Sequence, residues 1–191
     1  MSETLIIDTT SGIFKEERID PLPLLSETHP MLKMALEEYK TPLPNTPLDT
    51  LIARMKMTMK LYGGIGLSAN QVGVMHRLFV MGSEDFFIAC INPKVIEQSK
   101  ETEIAIEGCL SFPGLQLKVE RPKWIIAEYT DADGQLQQNK FEGITARCYL
   151  HELDHMNGVC YTSHVKPVAL QMARQKAEKL VKKIIRNQKK K

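Results

Sequence analysis

No stretch of this sequence is an uninterrupted apolar run of the length that spans a bilayer, so a protein that crosses membranes by helices is not expected. Nor does the chain begin with a basic segment followed by an apolar core. Met1, Ser2, Glu3, Thr4 and Leu5 place an acid early, which fits neither a secretory signal nor an Arg-rich, acid-poor transit peptide, and the expected address is the cytoplasm. Cysteines are few: Cys90, Cys109, Cys148 and Cys160 are too sparse for a disulfide framework, and free thiols are expected. There is no internal repeat, which removes the solenoid architectures. What remains is a chain of 191 residues, 43% hydrophobic and 25% charged, the make-up of a globular protein with its own core. That length suits one catalytic domain over 1–191 and is too short for two ordinary enzymatic domains.

Acids are scarce at one end only. From Lys166 to Lys191 ten Lys and Arg face Glu178 alone, a local charge of +9 that leaves −7 on the rest of a chain whose net charge is +2. A basic helix and tail over 166–191 suits an acidic partner, nucleic acid or a ribonucleoprotein surface foremost, and equally suits a solvated helix face.

Residues 1–45 are rich in proline and polar residues and read as an arm laid over the body, with a short helical segment around Met31 to Tyr39. A clearer helix follows. Thr46 reads as its N-cap, Pro47 suits the first position, and Leu51, Ile52, Met55, Met59 and Tyr62 recur at helical spacing until Gly63 and Gly64. The methionines on it read as core packing. Leu78 to Met81, Phe86 to Ile96 and Trp124 to Thr130 predict strands, and Asp133-Gly134 predicts a turn into a partner strand near Gln135 to Phe141. Cys90 falls within the second of these and reads as a small buried hydrophobe. Helix returns after Gly143 and stops near Asn157-Gly158. A last helix, from about Pro167 to Asn187, places Leu170, Ala173, Ala177, Leu180, Val181 and Ile184 on one face. Strands not separated by regular crossover helices predict an α+β fold.

The helix after Gly143 carries His151, Glu152, Leu153, Asp154 and His155, a His-Glu-x-x-His run. Residues four apart share one helix face, so the two imidazoles can hold one metal ion with Glu152 beside it. A third ligand decides what the run means. Cys109 lies upstream, with no second cysteine nearby to close a four-ligand structural site, so the expected centre is open and hydrolytic. In the ordinary metalloprotease pattern a further His or carboxylate follows; His164 comes nine residues after His155 without the Gly-containing spacer. His29, His76 and His164 read as surface or packed residues. Two other readings stay open here: a different metal-dependent amidase or protease, and a metal- or RNA-binding module without turnover.

Three segments in order, Gly64-Ile65-Gly66-Leu67-Ser68-Ala69-Asn70-Gln71, Glu107-Gly108-Cys109-Leu110-Ser111, and His151-Glu152-Leu153-Asp154-His155, together resemble the peptide deformylase family, over approximately Thr46 to Ile185. The resemblance implies mixed or antiparallel β-sheets around a central metal-binding helix, with a C-terminal helix. It implies Cys109, His151 and His155 as ligands of one divalent metal ion, ferrous iron with zinc, nickel or cobalt as substitutes. It also implies Glu152 as general base and acid, and the Gln71 amide and Leu110 backbone N–H as donors to the oxyanion. The implied reaction removes the formyl group from formyl-methionine at the start of nascent peptides, releasing formate. Gly66 is then a backbone contact to the peptide, and Ile65, Ile144 and Cys148 border an apolar pocket for the methionine side chain. The resemblance further implies docking of the basic C-terminal helix on the ribosome, where rRNA is the acidic surface. Asp154 reads as support for the ligand helix, and Arg121 as a partner for Asp154 or Glu107. Two departures from the family pattern are Ser68, where Ala is usual, and Leu150, where Gln is common; Gln116 stands in a region where some members carry Arg.

Overall fold

A computed structural model describes residues 4–7, 14–17, 19–83 and 85–188. Its elements are β1 (Thr4–Ile7), β2 (Phe14–Glu17), α1 (Thr46–Leu61), β3 (Gly66–Ser68), β4 (Leu78–Gly82), β5 (Phe87–Gln98), β6 (Thr102–Cys109), β7 (Phe112–Pro122), β8 (Trp124–Thr130), β9 (Leu136–Glu142), α2 (Gly143–Met156) and α3 (Pro167–Gln188). Residues 1–3, 8–13, 18, 84 and 189–191 lie outside the described residues, as do the side chains of Leu180, Val181 and Ile184. No described helix is long and apolar enough to cross a membrane.

Local chemistry accounts for α1 with one correction. The N-cap is Asn45, not Thr46: its side-chain oxygen accepts from the Leu48 N–H at 3.0 Å, and its amide is held by Pro42 O at 2.9 Å. Leu48, Ile52, Met55 and Met59 are buried along one stripe, and the chain leaves the helix through Gly63 in the left-handed region. The helical segment expected over Met31 to Tyr39 shrinks to one 3₁₀ turn, Pro30–Lys33. Beyond it the backbone is extended, because the body offers it partners: Leu36 N–H donates to Met156 O at 2.9 Å and Glu37 O accepts from Arg77 N–H at 2.9 Å. Tertiary hydrogen bonds outweigh a weak local preference.

The expected α+β fold is present. Strands β3-β4-β5-β8-β9 form one antiparallel sheet in that order, and β6 and β7 pair separately as a long antiparallel hairpin. Neither β3 nor the hairpin was expected from the sequence, although Leu115, Leu117, Val119 and Arg121 of β7 are buried at every second position, a period-two signal. The centre of the fold is α2, packed on β3, β4 and β9 with one face and toward β7 with the other. On the sheet side Tyr149 meets Phe79 edge-on with ring centroids 5.0 Å apart and stacks on Phe141 at 5.4 Å, in a cluster with Ala146 and Met156. Cys90 is fully buried in the same cluster. Through Leu170 and Ala173, α3 covers Phe112, Leu115, Leu117 and Val119 of the hairpin.

Candidate active site

Three segments far apart in sequence meet beside α2. A helix carries His151 and His155 on one face a turn apart, with Glu152 next to the first. The hairpin supplies Cys109 at the end of β6, beside a bulge in its pairing with β7. One ligand atom from each of Cys109, His151 and His155 lies within 4.8 Å of the others, and Cys109 Sγ is 3.4 Å from His155 Nε2. The third segment runs from β3 into the 3₁₀ turn Ala69–Val72. There Gln71 is buried, its Oε1 accepting from Ser68 N–H at 3.0 Å and its Nε2 reaching Cys109 Sγ and Ser111 Oγ, both at 3.2 Å. Asn70 Nδ2 ties this turn to α2 by donating to His155 O at 3.0 Å.

Behind His151 stands a carboxylate with several donors. Glu107 Oε2 accepts from His151 Nδ1 at 3.1 Å, which leaves Nε2 for a ligand role. Arg121 grips Glu107 with a fork of 2.9 and 3.0 Å, and Arg147 adds a bond of 2.8 Å. Arg121 also donates to Asp154 Oδ2 at 2.6 Å, the same oxygen that meets His164 Nε2 at 2.7 Å. Sequence reading offered Arg121 to Glu107 or Asp154; it bridges both. His164 is thus a partner of Asp154, and His29 caps the 3₁₀ turn at Met31 N–H.

The environment sets the charges. Burial alone would raise the Glu107 carboxyl, but the His151 and Arg121 hydrogen bonds outweigh it and hold the pKa down to about 2. Burial pushes Glu152 up to about 7, opposed by the nearby His151 charge. For His155, burial and repulsion from His151 and Arg121 bring the pKa down to about 3, the neutral form that a metal ligand needs. His151 moves the other way: burial would lower it, yet hydrogen bonds to Cys109 and Glu107 raise it to about 10.

The residues fit a metal ion on their own evidence. One sulfur and two imidazole nitrogens converge, a donor set for a borderline divalent cation. His155 Nδ1 and Glu152 Oε2 are the buried side-chain atoms left without a hydrogen-bond partner among the described residues. Glu152 also explains Gly66, where a Cβ would collide with Glu152 Oε1 and stand 2.7 Å from Cys148 Sγ.

A cavity of about 350 Å³ opens beside this cluster. Gln71, Leu110, Gly66, Ile65, Ile144, Cys148, Cys109, His151 and Glu152 all line it, as does Gln116; His155 lies behind the wall, 1% exposed. Ile65 and Ile144 stand at its rim, 48% and 62% exposed. Sequence reading missed Arg147 as a lining residue. Its place on α2, three after Ile144 and four before His151, is the signal that could have found it.

The sequence pattern of the family described as polypeptide deformylase matches residues 21–171, reaching further into the arm than the Thr46 expected and ending inside α3. A peptide deformylase of Thermotoga neapolitana is 42% identical over 135 residues, covering 71% of this chain and 82% of that protein. One from Finegoldia magna is 44% identical over 135 residues, with 70% and 81% covered. Among solved structures, the peptide deformylase of Thermotoga maritima superposes with a TM-score of 0.73 at 37% identity, covering 77% of this chain and 99% of that one. That of Synechococcus elongatus, in complex with actinonin, gives 0.78 at 34% identity, with 82% and 87% covered.

Proposed function

This chain belongs to the peptide deformylase family, metal-dependent hydrolases that remove the N-terminal formyl group from nascent peptides, and from that premise we propose which of its residues perform the reaction. Cys109, His151 and His155 hold one divalent ion. When bound, the ion supplies Lewis acidity to water and to the substrate oxygen. Glu152 accepts the proton of the attacking water and delivers it to the departing amine nitrogen, the role suited to a buried carboxyl with one unpaired oxygen. Attack on the formyl carbon throws negative charge onto its oxygen, and the Gln71 amide and the Leu110 backbone N–H donate to that charge. Ser68 holds Gln71 for this task from the other side of its amide. Gly66 lets the peptide backbone approach, while Ile65, Ile144 and Cys148 border the pocket for the first side chain. The products are formate and a free amine.

The single observation that carries this assignment is the convergence of Cys109, His151 and His155 with Glu152 at one cavity. Formate release from a formyl-Met peptide tests it, beside an acetyl-Met peptide and a substrate for internal cleavage. Selective formate release is expected; turnover of the other two with none of the first would sink the assignment.

On the family resemblance we assign ferrous iron as the native metal; the same donors accept zinc, nickel and cobalt, which are the substitutes. Elemental analysis after anaerobic purification should find iron, and activity should decay in air; an air-stable zinc enzyme of full activity would overturn this. The protein works in the cytoplasm as one catalytic domain over 1–191. Its basic C-terminal helix and tail dock on the ribosome through rRNA. Truncation after Val165 should lower ribosome cosedimentation of the folded protein, and unchanged affinity would count against docking.

A further inference from the structure

The cavity has one wall that an apolar methionine pocket does not require. Arg147 follows Ile144 by three residues and precedes His151 by four, so α2 turns it toward the same space. Its side chain is 7% exposed. Nη1 donates to Glu107 Oε1 and to Val119 O, both at 2.8 Å, and Nη2 donates to Glu103 O at 2.7 Å. A guanidinium carries five N–H donors, and these bonds use three.

The unused donors include Nε. It has no partner among the described residues, and the fully enclosed, unpaired side-chain atoms among those residues are Glu152 Oε2 and His155 Nδ1. Nε is therefore not fully enclosed, and Arg147 is among the residues that line the cavity. Charge does not reach that space unopposed. Glu107 answers Arg147, and Asp154 with Glu107 answers Arg121. An N–H offered from this wall stands within a balanced network, and its match is an uncharged acceptor.

We propose that Arg147 is a specificity-determining residue that lets the first-side-chain pocket take acceptor-bearing side chains, methionine sulfoxide and glutamine, as substrates beside methionine. The proposal rests on the assignment of this cavity to the first side chain of a formylated peptide. A side chain that fills the cavity with methylene groups expels water and strands the N–H; an amide or sulfoxide oxygen receives it. Stranding a buried donor costs on the order of tenfold or more in the preference between two otherwise similar chains. The thioether sulfur of methionine, a weak acceptor, falls between.

The test is formate release from four peptides alike beyond their first residue: formyl-methionine, formyl-methionine sulfoxide, formyl-glutamine and formyl-norleucine. The ratio of kcat/KM for two of them does not depend on how much of a preparation is active, so it survives partial misfolding of a variant. Wild-type enzyme is expected to process the sulfoxide and glutamine peptides within about tenfold of norleucine or better. R147M should lower both ratios to norleucine about tenfold or more, and R147K, which keeps a donor without the fork, should fall between. A wild-type bias of about a hundredfold or more against both acceptor peptides would overturn the proposal without any variant. Unchanged ratios in R147M would overturn it as well. Absence of formate from formyl-methionine itself would instead sink the parent assignment, a different result from an altered ratio.

Discussion

Helix α2 meets two unlike surroundings. Toward the five-stranded sheet it presents Ala146, Tyr149 and Met156 to apolar side chains. Toward the β6–β7 hairpin it presents Arg147, His151 and Asp154 to buried charges, with Glu107 receiving three different side chains. The sheet face draws stability from area removed from water, and it weakens in proportion to what is removed. The hairpin face is balanced only when every member is present, since each charge taken out of water must be met by another. One helix is thus anchored by packing and made chemically exact in position by ion pairs.

Substitutions on the two faces should separate activity from stability. The largest effect is expected from Glu152→Ala: formate release falls on the order of a thousandfold while metal content, read by elemental analysis, is retained. Normal turnover in that variant would end the proposed mechanism. Next, Glu107→Ala should cost about 3–5 kcal/mol in urea unfolding of the metal-free protein, because it leaves two buried arginines short of a partner. A loss under about 1 kcal/mol would show the hairpin face to be as tolerant as the sheet face. Gln71→Ala should lower kcat about a hundredfold with a smaller change in KM, since its donation is expected in the transition state; a KM effect alone would make it a binding residue.

Acid should find the hairpin face first. Glu107 is held down to about 2, below its ordinary 4.5, so as pH falls the unfolded chain takes up the proton before the folded one does. The stability that Glu107 contributes is whole above about 4.5 and is lost as pH falls toward 2. Urea midpoints measured across that window should fall in wild type and flatten in Glu107→Ala; equal slopes would remove Glu107 as the cause. The smallest effect belongs to Tyr149→Phe. The hydroxyl lies 3.2 Å from Glu128 O and 3.3 Å from Lys94 O, so its loss should cost about 1 kcal/mol and leave kcat/KM within twofold.

The same contrast explains what could be read in advance. The apolar stripe of α1, the strands Leu78–Gly82 and Trp124–Thr130, and α2 itself are periodic, and periodicity is local. Met31 to Tyr39 misled because its backbone bonds go to Met156 and Arg77, partners that no local pattern announces. The cap of α1 moved by one residue because Asn45 is positioned from Pro42 and Tyr39 as well as from the helix. At the site, the imidazole pair and its neighbouring Glu152 follow from helical spacing. Glu107 and Arg147, 40 residues apart, could be paired only by folding.

By itself the sequence determined the helix that carries the two histidines and the segments that mark the family. These depend on spacing along the chain, and spacing is a property of the chain alone. The tertiary structure decided that Arg121 serves both Glu107 and Asp154, that Gly66 is small because Glu152 fills the space beside it, and that an arginine shares the cavity wall with isoleucines. Those outcomes depend on which charges are left facing one another once water is excluded, and that is known only when the hairpin closes on α2.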